Sequence, residues 1–426
     1  MSWILFWFAS LVAVASSNAL WPIRRPWWLK LASFNAGWVV NELPLHALAG
    51  QACVVAILVR LGALDDLPGQ VGVAVTVAST VGLVVLAVAH RRAGDAVDEA
   101  LRDAIGAGGR TAVPEAGRGG RSVPRSWLVL PPLAWMRAPG VERVADVVYR
   151  TVAGRELKLD VFRPIGQQRD CPVLVEIHGG GWIAGDRRLE ARPLIAHMAA
   201  RGWVCVSVDY RVGRSATWPD QLIDVRSALA WVRDHITEYG GDSDFVAVTD
   251  GSAGGHLAAL VALTTNDHND PQYSGQPAPI RACVPFYGPY DFANSLGLHP
   301  AGEMHLVERF VVKAPLAGNP ALYERAAPLA QVHRDAPPFL VVQGTSDNLV
   351  FPAESRAFVE RLRSTSQAVV AYIEVPRGHH EFDAVASVRT GHVVDGVARF
   401  LTHIHAAHRR TAPFAPTSGG VGSGAG

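Results

Sequence analysis

Apolar runs of two different lengths divide the chain. Before residue 90 they are long and free of charge. After residue 140 they are short, rich in β-branched residues and separated by stretches of helical periodicity. Residues 71–89 carry no charged side chain, and a helix of that length crosses the hydrocarbon core of a bilayer. Residues 43–59 are also uncharged, although His46 and Gln51 weaken the run. Residues 3–15 are apolar and aromatic and extend to Leu20. The pattern predicts three membrane helices, with two spans, or a packed soluble helical domain, as alternatives. A secretory leader fits less well, because no basic residue precedes the first run and two more apolar segments follow it.

The second half reads differently. Residues 144–152 and 156–162 alternate as antiparallel edge strands do. Residues 172–177, 203–209, 245–249, 281–287, 339–343 and 369–375 read as buried strands. Helical patterns lie between most of them, at residues 189–201, 219–239, 253–264, 353–362 and 384–405. Alternating strands and helices predict an α/β fold, a mostly parallel sheet with helices on both faces. The expected domains are a membrane region at 1–92, a charged helix (93–105) with a Gly/Arg/Pro-rich linker through 134, and a catalytic domain at 135–410. A cap at 289–336 interrupts the alternation, and 411–426 reads as a disordered Gly/Ser/Pro tail.

Composition adds limits. Across 426 residues the net charge is +1, which gives no electrostatic case for nucleic acid as a partner. Half of the tryptophans precede residue 40, as in an interfacial aromatic belt. Arg24, Arg25 and Lys30 follow the first span, and Arg91 and Arg92 follow the third. Asp65 and Asp66 lie between the second and third. Positive flanks face the cytoplasm, so the catalytic domain is expected on that side of a multi-pass membrane protein, although Arg60 counts against this. Arginines of the linker suit either anionic lipid or plain solvation. Cys53, Cys171, Cys205 and Cys283 are scattered and read as free thiols.

Two short stretches carry chemistry. After the strand 172–177 comes His178-Gly179-Gly180-Gly181-Trp182, where glycines leave backbone N–H groups open to a substrate oxygen. After the strand 245–249 comes Asp250-Gly251-Ser252-Ala253-Gly254-Gly255-His256, a serine on a tight strand-to-helix turn. A serine nucleophile needs a base, and the base needs an orienting acid. In the chain order serine, acid, histidine, Asp347 and His380 are the candidates, each just past a strand where open α/β sheets build their sites. His379 is a competitor for the base. Gly180, Gly181 and Ala253 are the expected oxyanion donors. Trp182, Ile183, Trp218, Phe286, Tyr287 and Phe292 are candidates for an acyl pocket and equally for plain core. His178 and His256 read as structural.

Together these motifs, with Asp209-Tyr210-Arg211, Gly344-Thr345-Ser346-Asp347 and His380-Glu381-Phe382, resemble the hormone-sensitive-lipase-like branch of α/β-hydrolase esterases. The membrane preface looks like that of actinobacterial esterases of similar length. The resemblance implies hydrolysis of a small-molecule or lipid ester through an acyl-serine, with no metal or cofactor. An amidase or formamidase, and a degenerate binding module, are the other readings of the same fold. One position departs from the pattern: Asp250 stands where glycine is usual, two residues before the serine. An aspartate there is expected to crowd the elbow or to turn aside with backbone strain.

Overall fold

The structure is a computed structural model, and it describes residues 1–106, 140–166, 168–264 and 279–411. The expected linker beyond Gly106, the expected domain start at 135 and the expected tail beyond Thr411 lie outside the described residues.

Eight strands form one sheet: β1 (Val141–Val152), β2 (Arg155–Pro164), β3 (Cys171–Ile177), β4 (Val204–Val208), β5 (Gly241–Gly251), β6 (Ile280–Phe286), β7 (Phe339–Gly344) and β8 (Val370–Val375), in the order β1-β2-β4-β3-β5-β6-β7-β8. The pairs β1–β2 and β2–β4 are antiparallel and the rest are parallel. Strands β4 and β7 are buried at every position, because helices cover both faces. On one face lie α6 (Asp220–His235), α7 (Ala253–Thr264) and α10 (Pro352–Thr365). On the other lie α5 (Arg192–Ala199) and α11 (Val388–Thr411). Helix α7 is buried on every side through Leu263, in keeping with a sequence whose polar side chains are His256 and Thr264 alone. The segment expected as a cap holds two short helices, α8 (Ala301–Val307) and α9 (Pro320–Arg325), joined by irregular turns.

The N-terminal region has four helices: α1 (Ser2–Leu20), α2 (Lys30–Glu42), α3 (Pro44–Arg60) and α4 (Leu67–Ile105). Helices α1 and α4 are long and apolar enough to cross a membrane. The stretch Trp27–Glu42 and the helix α3 pass the same test as a pair bent by 86°. At 1.5 Å per residue α1 is about 28 Å long, close to the hydrocarbon thickness of a bilayer. Gln51 is accommodated at the α3–α4 contact, where its amide donates to Thr76 O (3.0 Å) and Thr80 Oγ1 (2.9 Å) and accepts from Ser79 Oγ (3.2 Å). A polar residue between helices is thereby satisfied without water.

Two features differ from the sequence expectation. Helix α2 was not anticipated, because its polar positions break the apolar run. The charged stretch 93–105 is no separate helix but the continuation of α4. Its Ala93, Val97 and Leu101 are buried in the layer formed with α11, Gly396 fits against Val97, and Arg399 pairs with Asp98 at 2.6 Å. One helix thus begins among the apolar spans and ends as a layer of the sheet domain.

Candidate active site

Four loops at the carboxyl edge of the sheet converge. Strand β5 delivers Ser252 through a tight turn: Asp250 has φ +140° and Ser252 φ +56°, both unusual for side chains other than glycine. The turn is tight because strand and helix nearly touch. A Cβ added to Gly254 would lie 1.7 Å from Ile177 O, so only glycine fits there. The loop after β8 brings His380, whose Nε2 lies 2.9 Å from Ser252 Oγ. Its Nδ1 lies 2.8 Å from Asp347 Oδ2 in the loop after β7. Nδ1–H donates to the carboxylate, and Nε2 is left to accept the serine hydroxyl proton. Asp347 is held in turn: Oδ1 accepts the N–H groups of Leu349 and Val350 at 2.9 Å each, and Oδ2 accepts Gln343 Nε2 at 3.1 Å. Burial pulls the His380 imidazole down, but the Asp347 charge and hydrogen bond outweigh it, and the net displacement is upward.

The glycine loop after β3 lies across the serine. Gly180 and Gly181 have φ +98° and +61° and are partly exposed. Their N–H groups meet no acceptor among the described residues. Ala253 opens α7, so its N–H has no partner within the helix. Around this loop several side chains fix its path. The His178 ring stacks on Tyr210 at 4.3 Å and its Nδ1–H donates to Gly179 O at 2.8 Å. Tyr210 OH donates to His178 O at 2.8 Å. Buried Arg187, on the outgoing limb, pairs with Asp146, Asp160 and Asp209. Asp209 and Tyr210 of the sequence motif thus brace the glycine loop, while Arg211 grips Asp224 on α6 through two bonds of 2.7 and 3.0 Å.

The six pocket candidates do not form one wall. Trp182, Trp218 and Phe292 pack around His256 inside the core: Trp182 Nε1 donates to His256 Nδ1 at 3.3 Å, and His256 Nε2–H donates to Ala326 O at 2.7 Å. Burial pulls the His256 imidazole down to about 4, so it stays neutral and structural. Phe286 packs on Phe382 on the opposite side of the sheet. Tyr287 lies beside His380, with ring centroids 4.6 Å apart, and donates its hydroxyl to Asp383. Ile183, on the glycine loop, is 51% exposed.

Below the elbow sits a group of buried acids. Asp250 turns aside from the serine: Oδ1 accepts Gly251 N–H at 2.7 Å, and its carboxyl lies beside that of Glu176. Burial pushes both upward; the neighbouring Glu176 adds to the rise at Asp250, and the Glu190 charge to that at Glu176. Glu190 accepts the Gly179 N–H, and burial, with the nearby Asp250 charge, pushes it up to about 8.

Sequence reasoning missed a second layer, contributed by the N-terminal region. Asn348, next to Asp347, donates to Ile23 O (2.9 Å) and Lys30 O (3.0 Å). His379, next to His380, donates to Ala19 O at 2.8 Å, and burial holds its imidazole down at about 4. Trp38 Nε1 donates to Glu381 O at 3.1 Å, and the Phe34 ring meets His380 edge-on at 6.3 Å. These contacts join residues more than 300 positions apart, and no local pattern announces them.

Comparison with known proteins decides the family. The chain is 39% identical over 408 residues to a probable carboxylic ester hydrolase, LipM, of Mycobacterium tuberculosis, covering 93% of this chain and 92% of that protein. It belongs to this hormone-sensitive-lipase-like family of carboxylic ester hydrolases. Esterase LipQ of the same organism is 36% identical over 87% of this chain and 84% of its own length. The BD-FAE family profile matches residues 159–362 of this esterase. Among solved structures, a propionate-bound thermophilic esterase from Thermogutta terrifontis superposes with a TM-score of 0.51 at 26% identity, covering 65% of this chain and 97% of that one. The relatives matched over nearly their whole length include the N-terminal region, whereas the solved esterase matches about two thirds of this chain.

Proposed function

We propose that this carboxylic ester hydrolase works through Ser252, with His380 as its base and Asp347 as the acid that orients the base. The observation that carries the reading is the unbroken hydrogen-bonded chain Ser252–His380–Asp347, at 2.9 and 2.8 Å. Ser252 Oγ bonds to the ester carbonyl carbon as its proton passes to His380 Nε2. Asp347 stabilises the imidazolium so formed. The N–H groups of Gly180, Gly181 and Ala253 receive the negative oxygen. His380 then gives its proton to the leaving alcohol as the carbon–oxygen bond breaks. Water, deprotonated by His380, attacks the acyl-serine; the acid departs, and Ser252 recovers its proton. Tyr287 and Ile183 border the substrate in this reading, whereas Trp182, Trp218, Phe286 and Phe292 support the walls from within.

A fluorophosphonate probe should label Ser252 in the folded protein, and Ser252→Ala should lower kcat by about 10⁶-fold, as in other serine triads. Labelling elsewhere, or retention of most activity, would remove Ser252 from the mechanism.

The same reading takes the N-terminal region as three membrane crossings, α1, α3 and α4, with the sheet domain on the cytoplasmic side. Support comes from contacts at the two ends of the helices. Ser2 meets Asp66 at one end. Leu20 meets Arg377, and His90 meets Asn41, at the other. Arg24, Arg25, Lys30, Arg91 and Arg92 therefore share the end that carries the sheet domain, as the positive-inside rule requires of a cytoplasmic face. Protease digestion of sealed inverted and right-side-out vesicles tests it: the sheet domain should be cut only in the inverted ones.

A further inference from the structure

Helix α2 is turned the opposite way from a helix at a water surface. Its two charges point inward: Lys30 pairs with Glu303 and lies over the Phe351 ring at 4.0 Å, and Glu42 pairs with Arg389 at 2.7 Å. Ser33, Phe34, Gly37 and Asn41 are buried on the same side. The outer face shows Leu31 and Val39, 61% and 56% exposed, after Trp28 at 63%, with no charge among them. A face of that kind needs an apolar cover. The cover is indicated by its neighbours. The pair α2–α3 is bent by 86°, while α1 and α4 have the length and composition of spans, so with α3 as the crossing proposed above α2 runs along the bilayer surface.

The inner face of α2 meets the loops that carry Asp347 and His380. Phe34 touches the imidazole of His380, Trp38 holds Glu381, and Asn41 Nδ2 donates to Arg377 O at 3.2 Å. In the membrane arrangement proposed above, one helix thickness separates the triad from lipid. The cap continues this wall: Gly302 fits against the Trp27 indole, and Lys313 Nζ donates to Ala216 O beside the turn at Gly213, whose N–H donates to Trp182 O of the glycine loop. Its Leu306 and Phe310 are exposed, as is Ile183 on the glycine loop, so each side of the lip carries apolar side chains, with His305 and Arg309 exposed beside them on the cap.

We propose that the substrate is an amphiphilic ester taken from the bilayer, its hydrocarbon chain remaining in lipid beside α2 while its carbonyl reaches Ser252. The proposal rests on the triad reading above and adds the substrate class and the direction of entry. The alternative is a water-soluble ester arriving from the aqueous side.

The test uses the full chain in phosphatidylcholine vesicles, with p-nitrophenyl palmitate dissolved in the bilayer and p-nitrophenyl acetate in the water. Leu31→Glu, and the milder Leu31→Gln, alter only the outer face of α2. Each should lower kcat/KM for the palmitate ester by about tenfold while the acetate ester stays within about twofold, the scale set by burying one leucine side chain in lipid. Unchanged fluorophosphonate labelling of Ser252 identifies an intact site in each variant. An equal fall on both esters, or no fall on either, overturns bilayer entry. If neither ester is cleaved by the parent protein and the probe fails to label it, the triad reading has failed, and bilayer entry falls with it.

Discussion

The sheet domain and the N-terminal helices obey opposite rules of burial. In the sheet domain the strands Val204–Val208 and Phe339–Gly344 are buried throughout, and its charged side chains lie mostly outside or in bonded groups such as Arg187 with its three aspartates. In the helical region most large apolar side chains face outward, among them Trp3, Trp7, Leu11, Val77 and Val81. Several polar residues there, among them Lys30, Ser33, Asn41, Glu42 and Gln51, are buried, beside small apolar clusters around Leu5 and Leu83. On the membrane arrangement proposed above, the contrast is that of two solvents. Water drives apolar groups inward, and lipid leaves that drive absent, so polar contacts define the packed side instead. The loops of Asp347 and His380 lie at the seam, held from below by the sheet and from above by polar groups of α2.

The comparison can be broken at several depths. The largest effect belongs to the sheet side. Asp347→Asn should lower kcat by about 10⁴-fold, as loss of the orienting carboxylate does in other triads. Asp347 also pushes His380 upward, so the acid limb of kcat/KM should move to lower pH in the variant; an unmoved limb would assign it to another group. Next comes the seam. Glu42→Ala leaves Arg389 buried without its partner and should cost about 3–5 kcal/mol. If the sheet domain were independent of the helices, denaturant unfolding of the purified protein would give the parent midpoint.

A smaller effect lies beneath the glycine loop. Glu190 is pushed up to about 8 by burial, against an ordinary value near 4.5. The folded protein therefore keeps a proton that the unfolded chain releases. This contribution to stability is complete below about pH 4.5 and is lost progressively as pH rises toward about 8. Glu190→Gln should flatten that part of the stability curve in unfolding titrations, and a slope equal to the parent's would reject it. The smallest effect is expected at the elbow. Asp250→Gly relieves a positive φ worth about 1–3 kcal/mol of strain and should leave kcat/KM equal or higher. A large loss of kcat would mean that the Asp250 carboxyl itself shapes the turn.

Much of the sheet domain was legible because the relevant signals are local. Each parallel strand is a short β-branched run, and Ser252, Asp347 and His380 each follow one directly, so strand order alone brings them to one edge. The glycines beside Ser252 were legible for the same reason, since a tight turn excludes side chains whatever surrounds it. Asp250 was recognised as out of place, but its partner Glu176 was not, because neighbouring strands join residues far apart in sequence. The pocket candidates illustrate the limit: aromatic character does not say which side of the sheet a ring occupies, and Phe286 and Trp182 fall on opposite sides.

By itself the sequence determined the alternation of strands and helices, the apolar spans and the chemistry-bearing loops, since these follow from periodicity and from the conformations that glycine alone allows. Only the tertiary structure decided that α4 serves both regions, that α2 lies over the loops of Asp347 and His380, and that His379 and Asn348 tie those loops to the helices. Those contacts depend on which surfaces meet when distant segments pack, and a hydrogen bond to a backbone carbonyl such as Ala19 O leaves no mark on the identity of the residue that accepts it.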